Sequence, residues 1–227
     1  MFRIYRIIIF FILINLPFSV NAHVQHYEVL NRIEFDIYRN NKHIGKHVFS
    51  FKKSGEELAV ESEIDFEIKK FGLVFYSYNV RGTEIYKDGK LTKFNSRTDQ
   101  NGKKKYVNML LENGEYTIDG SSYQGKVPVD YLIGTWWNHS IVKAPAQISA
   151  VSGRIIKQKV TFLGKETIKF GDKSYDTLHF NFSSTDSKLT KDKKLNTDVW
   201  YDEKTLNWVK AAFKKKGRWE YKLVSIK

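Results

Sequence analysis

Polar and apolar residues alternate along most of this chain. Leu58, Val60, Ile64, Phe66 and Ile68 share one parity, and Glu61, Glu63, Asp65 and Glu67 share the other. A period of two held over that length predicts a β-strand with one buried face. The same pattern predicts strands over Ile33–Tyr38, Ile44–Phe51, Val74–Tyr86, Leu91–Thr98, Tyr106–Glu112 and Glu115–Asp119. It resumes over Ile156–Phe162, Glu166–Phe170, Tyr175–Ser183, Thr197–Tyr201, Leu206–Lys214 and Arg218–Ile226. Asn40-Asn41, Ser54-Gly55, Asp88-Gly89, Asn101-Gly102, Asn113-Gly114, Gly171-Asp172 and Lys216-Gly217 each separate two alternating runs. Asn, Asp and Gly tolerate the left-handed backbone of tight hairpin turns, so these pairs read as hairpin tips. Hairpins in series, without alternation of strand and helix, predict an all-β fold: an antiparallel meander curled into a barrel or half-barrel that hides its edges. At ~3.4 Å per residue, the run from Leu58 to Ile68 would span about 37 Å, a length at which strands bend around a barrel.

One stretch breaks the alternation. Between Val127 and Gly153, Leu132, Ile133, Trp136, Trp137 and Ile141 fall on one face of a helix, with Asp130 as N-cap, Lys143 in the last turn and Ala144-Pro145 as the stop. This predicts one short inserted helix at about 130–143. Its two tryptophans would lid or plug the concave face of the sheet.

The amino terminus carries a different signal. Met1–Arg6 is basic, residues 7–16 form a ten-residue apolar run, and Val20 and Ala22 place small residues at a cleavage site. That is the anatomy of a secretory signal peptide over residues 1–22, and the run is too short for a membrane-spanning helix. The expectation is a single barrel-like domain over 23–227, exported to a periplasm.

Composition narrows the function. The 227 residues include no cysteine, which excludes thiolate metal sites, disulfide scaffolds and a cysteine nucleophile. Five Trp, 13 Tyr and 16 Phe argue for a packed core rather than a disordered basic tail. The formal charge of +13 is spread over nearly every strand, which argues against nucleic acid and suits anionic components of a cell envelope. Runs such as Lys90–Thr98 supply almost no apolar side chains, so the strands lack the lipid-facing band of an outer-membrane barrel.

Several short segments carry a resemblance. They are Asp36-Ile37-Tyr38-Arg39-Asn40-Asn41-Lys42-His43-Ile44-Gly45, Trp136-Trp137-Asn138, Ser152-Gly153-Arg154, Leu163-Gly164-Lys165-Glu166, Val199-Trp200-Tyr201-Asp202 and Leu206-Asn207-Trp208-Val209-Lys210. Together they resemble an uncharacterised family of exported bacterial envelope proteins known as a domain of unknown function. The architecture is also similar, more distantly, to the half-open barrels of periplasmic lipoprotein carriers. The first resemblance implies no activity and no functional residue. The second implies an acyl chain held under helical segments, on topology alone.

Candidate chemistry is sparse. The Glu61, Glu63, Asp65, Glu67 row has a spacing near that of an inverting glycosidase pair, but any charged strand face gives it, and a solvated, cross-strand-neutralised row is the simpler reading. His43 and His47 share a parity about 13–14 Å apart, too far to chelate one ion. A mature terminus at His23, with His26, would offer amine and imidazole nitrogens to copper. No nucleophile elbow or phosphate loop is present. The expectation is therefore no catalytic residue, no metal and no cofactor. The leading function is non-catalytic binding of an apolar or amphiphilic envelope ligand, a lipid or acyl chain. Its cavity and lid candidates are Tyr131, Leu132, Trp136, Trp137, Phe66, Tyr76, Phe180, Trp200 and Trp208. The expected partners are that lipid or an anionic envelope component, with peripheral membrane contact and no nucleic acid. Alternatives are a structural or interaction module with a filled core and, behind it, an uncharacterised hydrolase.

Overall fold

A computed structural model describes residues 27, 29–191 and 193–227; the expected signal peptide over residues 1–22, His23 and His26 lie outside the described residues. Fifteen strands follow one another: β1 (Arg32–Arg39), β2 (Lys42–Ser54), β3 (Glu57–Lys70), β4 (Leu73–Lys87), β5 (Lys90–Gln100), β6 (Lys103–Glu112), β7 (Glu115–Gly120) and β8 (Tyr123–Pro128), then β9 (Leu132–Ile133), β10 (Ala146–Ile148), β11 (Ile155–Phe170), β12 (Lys173–Ser184), β13 (Asn196–Asp202), β14 (Trp208–Lys214) and β15 (Arg218–Ile226). They form one sheet in the order β8-β7-β6-β5-β4-β3-β2-β1-β15-β14-β13-β12-β11-β10-β9. All neighbours are antiparallel except β9 and β10.

The predicted alternation sets the inside of the sheet. Leu58, Val60 and Phe66 of β3, Phe49 and Phe51 of β2, Ile33 and Phe35 of β1, and Val199 and Tyr201 of β13 are buried in one core. The acidic row of β3 faces outward, and cross-strand or same-strand cations answer it: Lys52 pairs with Glu61, Arg81 with Glu63 and Asp65, Lys69 with Glu67. The turns behave as their residues demand. Asn40, Asn41, Asp88, Asn101 and Asn113 all have left-handed φ.

The sheet's two edges, β8 and β9, are joined by only three residues, which brings the ends of the rolled sheet together. The seam is made by the loop between β10 and β11. Ser122 N–H donates to Ser152 O at 2.8 Å, and Ser96 Oγ donates to Ala150 O at 2.5 Å. Gly120 of β7 makes this approach feasible, because a Cβ there would stand 2.8 Å from Ser152 O.

Two expectations need correction in detail. Helical structure in 130–143 is confined to a five-residue 3-10 turn, His139–Lys143, capped by Asn138 rather than Asp130. Upstream, Leu132-Ile133 pairs in parallel with Gln147-Ile148, and Trp136 adopts a left-handed φ of 60°, which no α-helix admits. The apolar spacing that suggested a helix comes instead from a chain with partners on several sides. The second correction concerns β11. It is one continuous strand with a bulge between Phe162 and Gly164, where alternation alone reads two strands.

Candidate functional site

The segment 129–154 enters the rolled sheet and packs against its inner face. Trp137 is fully buried among Tyr27, Phe51 and Tyr86, with ring centroids 5.0, 5.4 and 5.7 Å away and near-perpendicular planes. Trp136 turns the other way, onto Trp208 at 5.7 Å and Tyr221 at 6.2 Å. The two adjacent tryptophans thus serve different walls, because the left-handed Trp136 backbone splays them.

A buried carboxylate holds the segment in place. Glu84 follows Val80 and Gly82 on the inward parity of β4, where an acid is out of pattern. It accepts three hydrogen bonds: from Trp137 Nε1 at 2.8 Å, Thr135 Oγ1 at 3.0 Å and Tyr86 Oη at 2.5 Å. Burial raises its pKa above the ordinary carboxylate range, and the three donors only partly offset that. Further ties run from Tyr201 Oη to Trp136 O at 3.0 Å, and from Gln158 Nε2 to Ala144 O at 2.9 Å.

Between this segment and β2–β5 lies a cavity of about 220 Å³. Ile64, Tyr78, Val80, Phe94, Trp136 and Tyr221 give it apolar and aromatic walls, while His47, Ser62, Thr135 and Gln147 bring polar groups. His47 is 4% exposed, and its Nε2 lies 3.0 Å from Ser62 Oγ. Burial pushes its pKa down to about 3, so the ring is neutral. Two buried nitrogens on residues that line this cavity, His47 Nδ1 and Trp136 Nε1, have no hydrogen-bond partner in the protein. Larger troughs of about 650 and 530 Å³ lie along the sheet, but they are open to solvent and edged by ion-paired side chains such as Glu63, Arg81 and Asp65.

Of the nine cavity and lid candidates, Trp136 alone lines this cavity. Trp137 anchors the segment, and Trp208 is buried against Phe35 at 3.9 Å. Phe66 and Tyr76 stack on each other at 6.1 Å, and Phe180 packs on His139 and Tyr201. Tyr131 and Leu132 are half-buried against the core. Trp200 departs from the expected concave lining. Val199 and Tyr201 face in, so Trp200 faces out, stacked on His179 at 4.1 Å with Lys210 over its ring and its Nε1 donating to Glu166. His43 and His47 do not share a face either. A bulge between Ile37 and Tyr38 in the β1–β2 ladder turns His43 outward to Asp36 at 3.1 Å, while His47 points inward. Among the described residues, no group of three or more His, Asp or Glu converges as a metal site.

Ser62 and Glu84 are residues that sequence reading missed, and His47 was weighed there only as a metal ligand. Their signal was parity: each is polar at an inward position of a strand whose neighbours are apolar or small.

The fold and interior define a class: a barrel-like antiparallel meander with an inserted segment packed inside it. The chain belongs to a family defined only as a domain of unknown function, DUF6134, whose model matches residues 35–224. Among solved structures, it is similar to a beta-barrel-like protein of another domain of unknown function, DUF1849, from Brucella abortus. That match has a TM-score of 0.60 at 11% identity and covers 87% of this chain and 98% of that one. A weaker likeness is to a Bacteroides fragilis protein with a YmcC-like fold, at TM-score 0.35 and 11% identity, covering 86% and 94% of the two chains. No curated protein matches the chain. The Brucella likeness establishes the fold and nothing about ligand or reaction.

Proposed function

We propose that this is an exported, non-catalytic binding protein that holds a small amphiphilic ligand in the cavity beneath the 129–154 segment. The carrying observation is a 220 Å³ cavity with aromatic walls, two of whose lining residues, His47 and Trp136, each keep a buried nitrogen that no protein atom satisfies. A buried polar group left unpaired costs about 1–3 kcal/mol, so a ligand whose entry turns the His47 or Trp136 ring to meet its polar atom, with an apolar body against Tyr78 and Tyr221, gains on both counts. The volume lies below the roughly 300–1,000 Å³ of drug-sized sites, which favours a short chain or the end of a longer one over a whole lipid.

Catalysis fits the same groups poorly. A His47 with a pKa near 3 is a weak base, and nothing orients its Nδ1 as a hydrolytic triad would require. Glu84 has its hydrogen bonds committed, two to the inserted segment and one to Tyr86 of its own strand. Export is argued from the signal-peptide pattern over residues 1–22.

The test is native mass spectrometry of the protein purified from an exporting host, with organic extraction of the same sample. A stoichiometric small amphiphile, lost in a Gly82→Leu variant that fills the cavity, is the expected result. A protein that carries nothing, and takes up no short-chain fluorescent fatty acid, would leave the filled-core interaction module as the better account.

A further inference from the structure

One hairpin differs from the rest of the molecule. β3 pairs with β2 only as far as Phe66 opposite Gly45, and β4 pairs with β5 only from Tyr78 opposite Gln100. Between those limits, Ile68–Tyr76 pair only with each other, so the β3–β4 hairpin projects as a free two-stranded finger. Its distal residues are Phe71, Leu73, Val74 and Phe75, and they are exposed, Phe71 at 93%.

The tip is also built against local preference. Where the tips at 40–41, 88–89, 101–102 and 113–114 place Asn or Asp in the left-handed position, and the 215–217 tip places Lys216, this one places Phe71, at φ 52°. A left-handed non-glycine backbone is unfavourable, and Asn and Asp tolerate it best. A large apolar side chain held there in water gains from the protein only the Lys70 ammonium over its ring at 5.4 Å, an exposed and therefore weak contact.

The surroundings of the finger say what it meets. In the meander, the tips at 40–41, 71–72, 101–102 and 215–217 all lie at one end of the rolled sheet. Lys69 and Lys70 flank the apolar tip. Arg39 and Lys42, Lys103 through Lys105, and Lys214 through Lys216 with Arg218 occupy the neighbouring turns. The carboxylates beside these turns are engaged: Glu67 by Lys69, Asp99 by Lys104 and Glu220 by Arg218. Turns at the opposite end mix signs: Lys52, Lys53, Glu56 and Glu57, then Lys87, Asp88 and Lys90, then Glu112 and Glu115.

We infer that this end docks on an anionic phospholipid bilayer, with Phe71, Leu73, Val74 and Phe75 entering the headgroup–acyl boundary and the lysines meeting the phosphates. Phe71 in the turn and Leu73, Val74 and Phe75 on the β4 arm reach about 7–10 Å, the depth at which interfacial apolar segments bury. Neither part suffices alone, since apolar insertion and a polybasic patch act jointly to hold proteins at membranes. This inference does not depend on the interior cavity being a ligand site.

Vesicle sedimentation with the mature chain tests it. Phosphatidylglycerol/phosphatidylethanolamine vesicles should pull the protein down at low salt, phosphatidylcholine vesicles should not, and added salt should release it. Phe71→Asn gives the tip a residue suited to its backbone, so the variant should fold at least as well as the parent, yet bind about tenfold more weakly. Lys69→Glu with Lys70→Glu should weaken binding further. In Phe71→Trp, indole emission should shift to the blue on anionic vesicles and be quenched by brominated acyl chains. No binding to phosphatidylglycerol vesicles, or binding that Phe71→Asn leaves unchanged, would overturn the inference. So would a concentration-dependent dimer, seen by analytical ultracentrifugation and abolished by Phe71→Asn, which would assign the finger to a second copy of the chain.

Discussion

Glu84 and Phe71 sit on the same hairpin, β3–β4 and its continuation, and each breaks the local rule in the opposite sense. Glu84 is an acid at a fully interior position, and Phe71 is an aromatic at a nearly fully exposed tip. The interior exception is compensated: three donors converge on the carboxylate and fix the inserted segment. The exterior exception has no apolar packing to compensate it, only the exposed Lys70 ammonium over its ring. Residues that contradict the pattern with partners in place point to architecture. Those without partners point outward, to a surface or ligand still to be met.

The strongest way to break this contrast is at Glu84. Removing the acceptor in Glu84→Ala strands the Trp137, Thr135 and Tyr86 donors in the core. Urea unfolding should show a loss of about 3–5 kcal/mol, whereas Glu84→Gln, which keeps an acceptor, should lose much less. If the two variants were equally damaging, the hydrogen-bond account of the segment's anchoring would be wrong.

Titration sharpens the contrast from the inside. His47 has a folded pKa near 3, below its ordinary value of 6.5, so it stabilises the fold above pH 6.5, and that contribution is lost as pH falls from 6.5 towards 3. The slope approaches about 1.4 kcal/mol per pH unit at its steepest, and His47→Leu should flatten it. Glu84 acts with the opposite sign. Its raised folded pKa gives a contribution that is complete below the ordinary glutamate range and is lost as pH rises through the folded value. Stability curves of Glu84→Gln against pH should therefore lack that alkaline-side decline.

The finger predicts a smaller effect of reversed sign. Phe71→Asn relieves a left-handed aromatic and should raise stability by about 1 kcal/mol in thermal or urea unfolding. Smallest of all, Lys52→Ala on the exposed pair with Glu61 should change stability by at most about 0.5 kcal/mol.

Most strands were legible because a two-residue period needs only neighbours in sequence. The places where reading failed are those where the determinant lies elsewhere in the chain. β8 escaped because Gly125 and Lys126 interrupt its alternation, and β9 and β10 because two- and three-residue strands carry no period. The segment around Trp136 mimicked a helix because its apolar residues answer to several walls, and any dense apolar run matches a 3.6 period somewhere. Trp200 was misplaced for want of parity: with Val199 and Tyr201 facing in, it had to face out. The Phe71-Gly72 turn carried no Asn or Asp to announce it. The cavity itself was not legible at all, since it is bounded by residues as distant as His47, Gln147 and Tyr221.

The direct test of the binding account is a calorimetric titration of the delipidated mature protein with octanoate, in the parent and in Gly82→Leu. The account predicts saturable one-to-one binding with a negative heat-capacity change in the parent, and none in Gly82→Leu at unchanged thermal stability. No heat in the parent, or equal heat in both proteins, would contradict it.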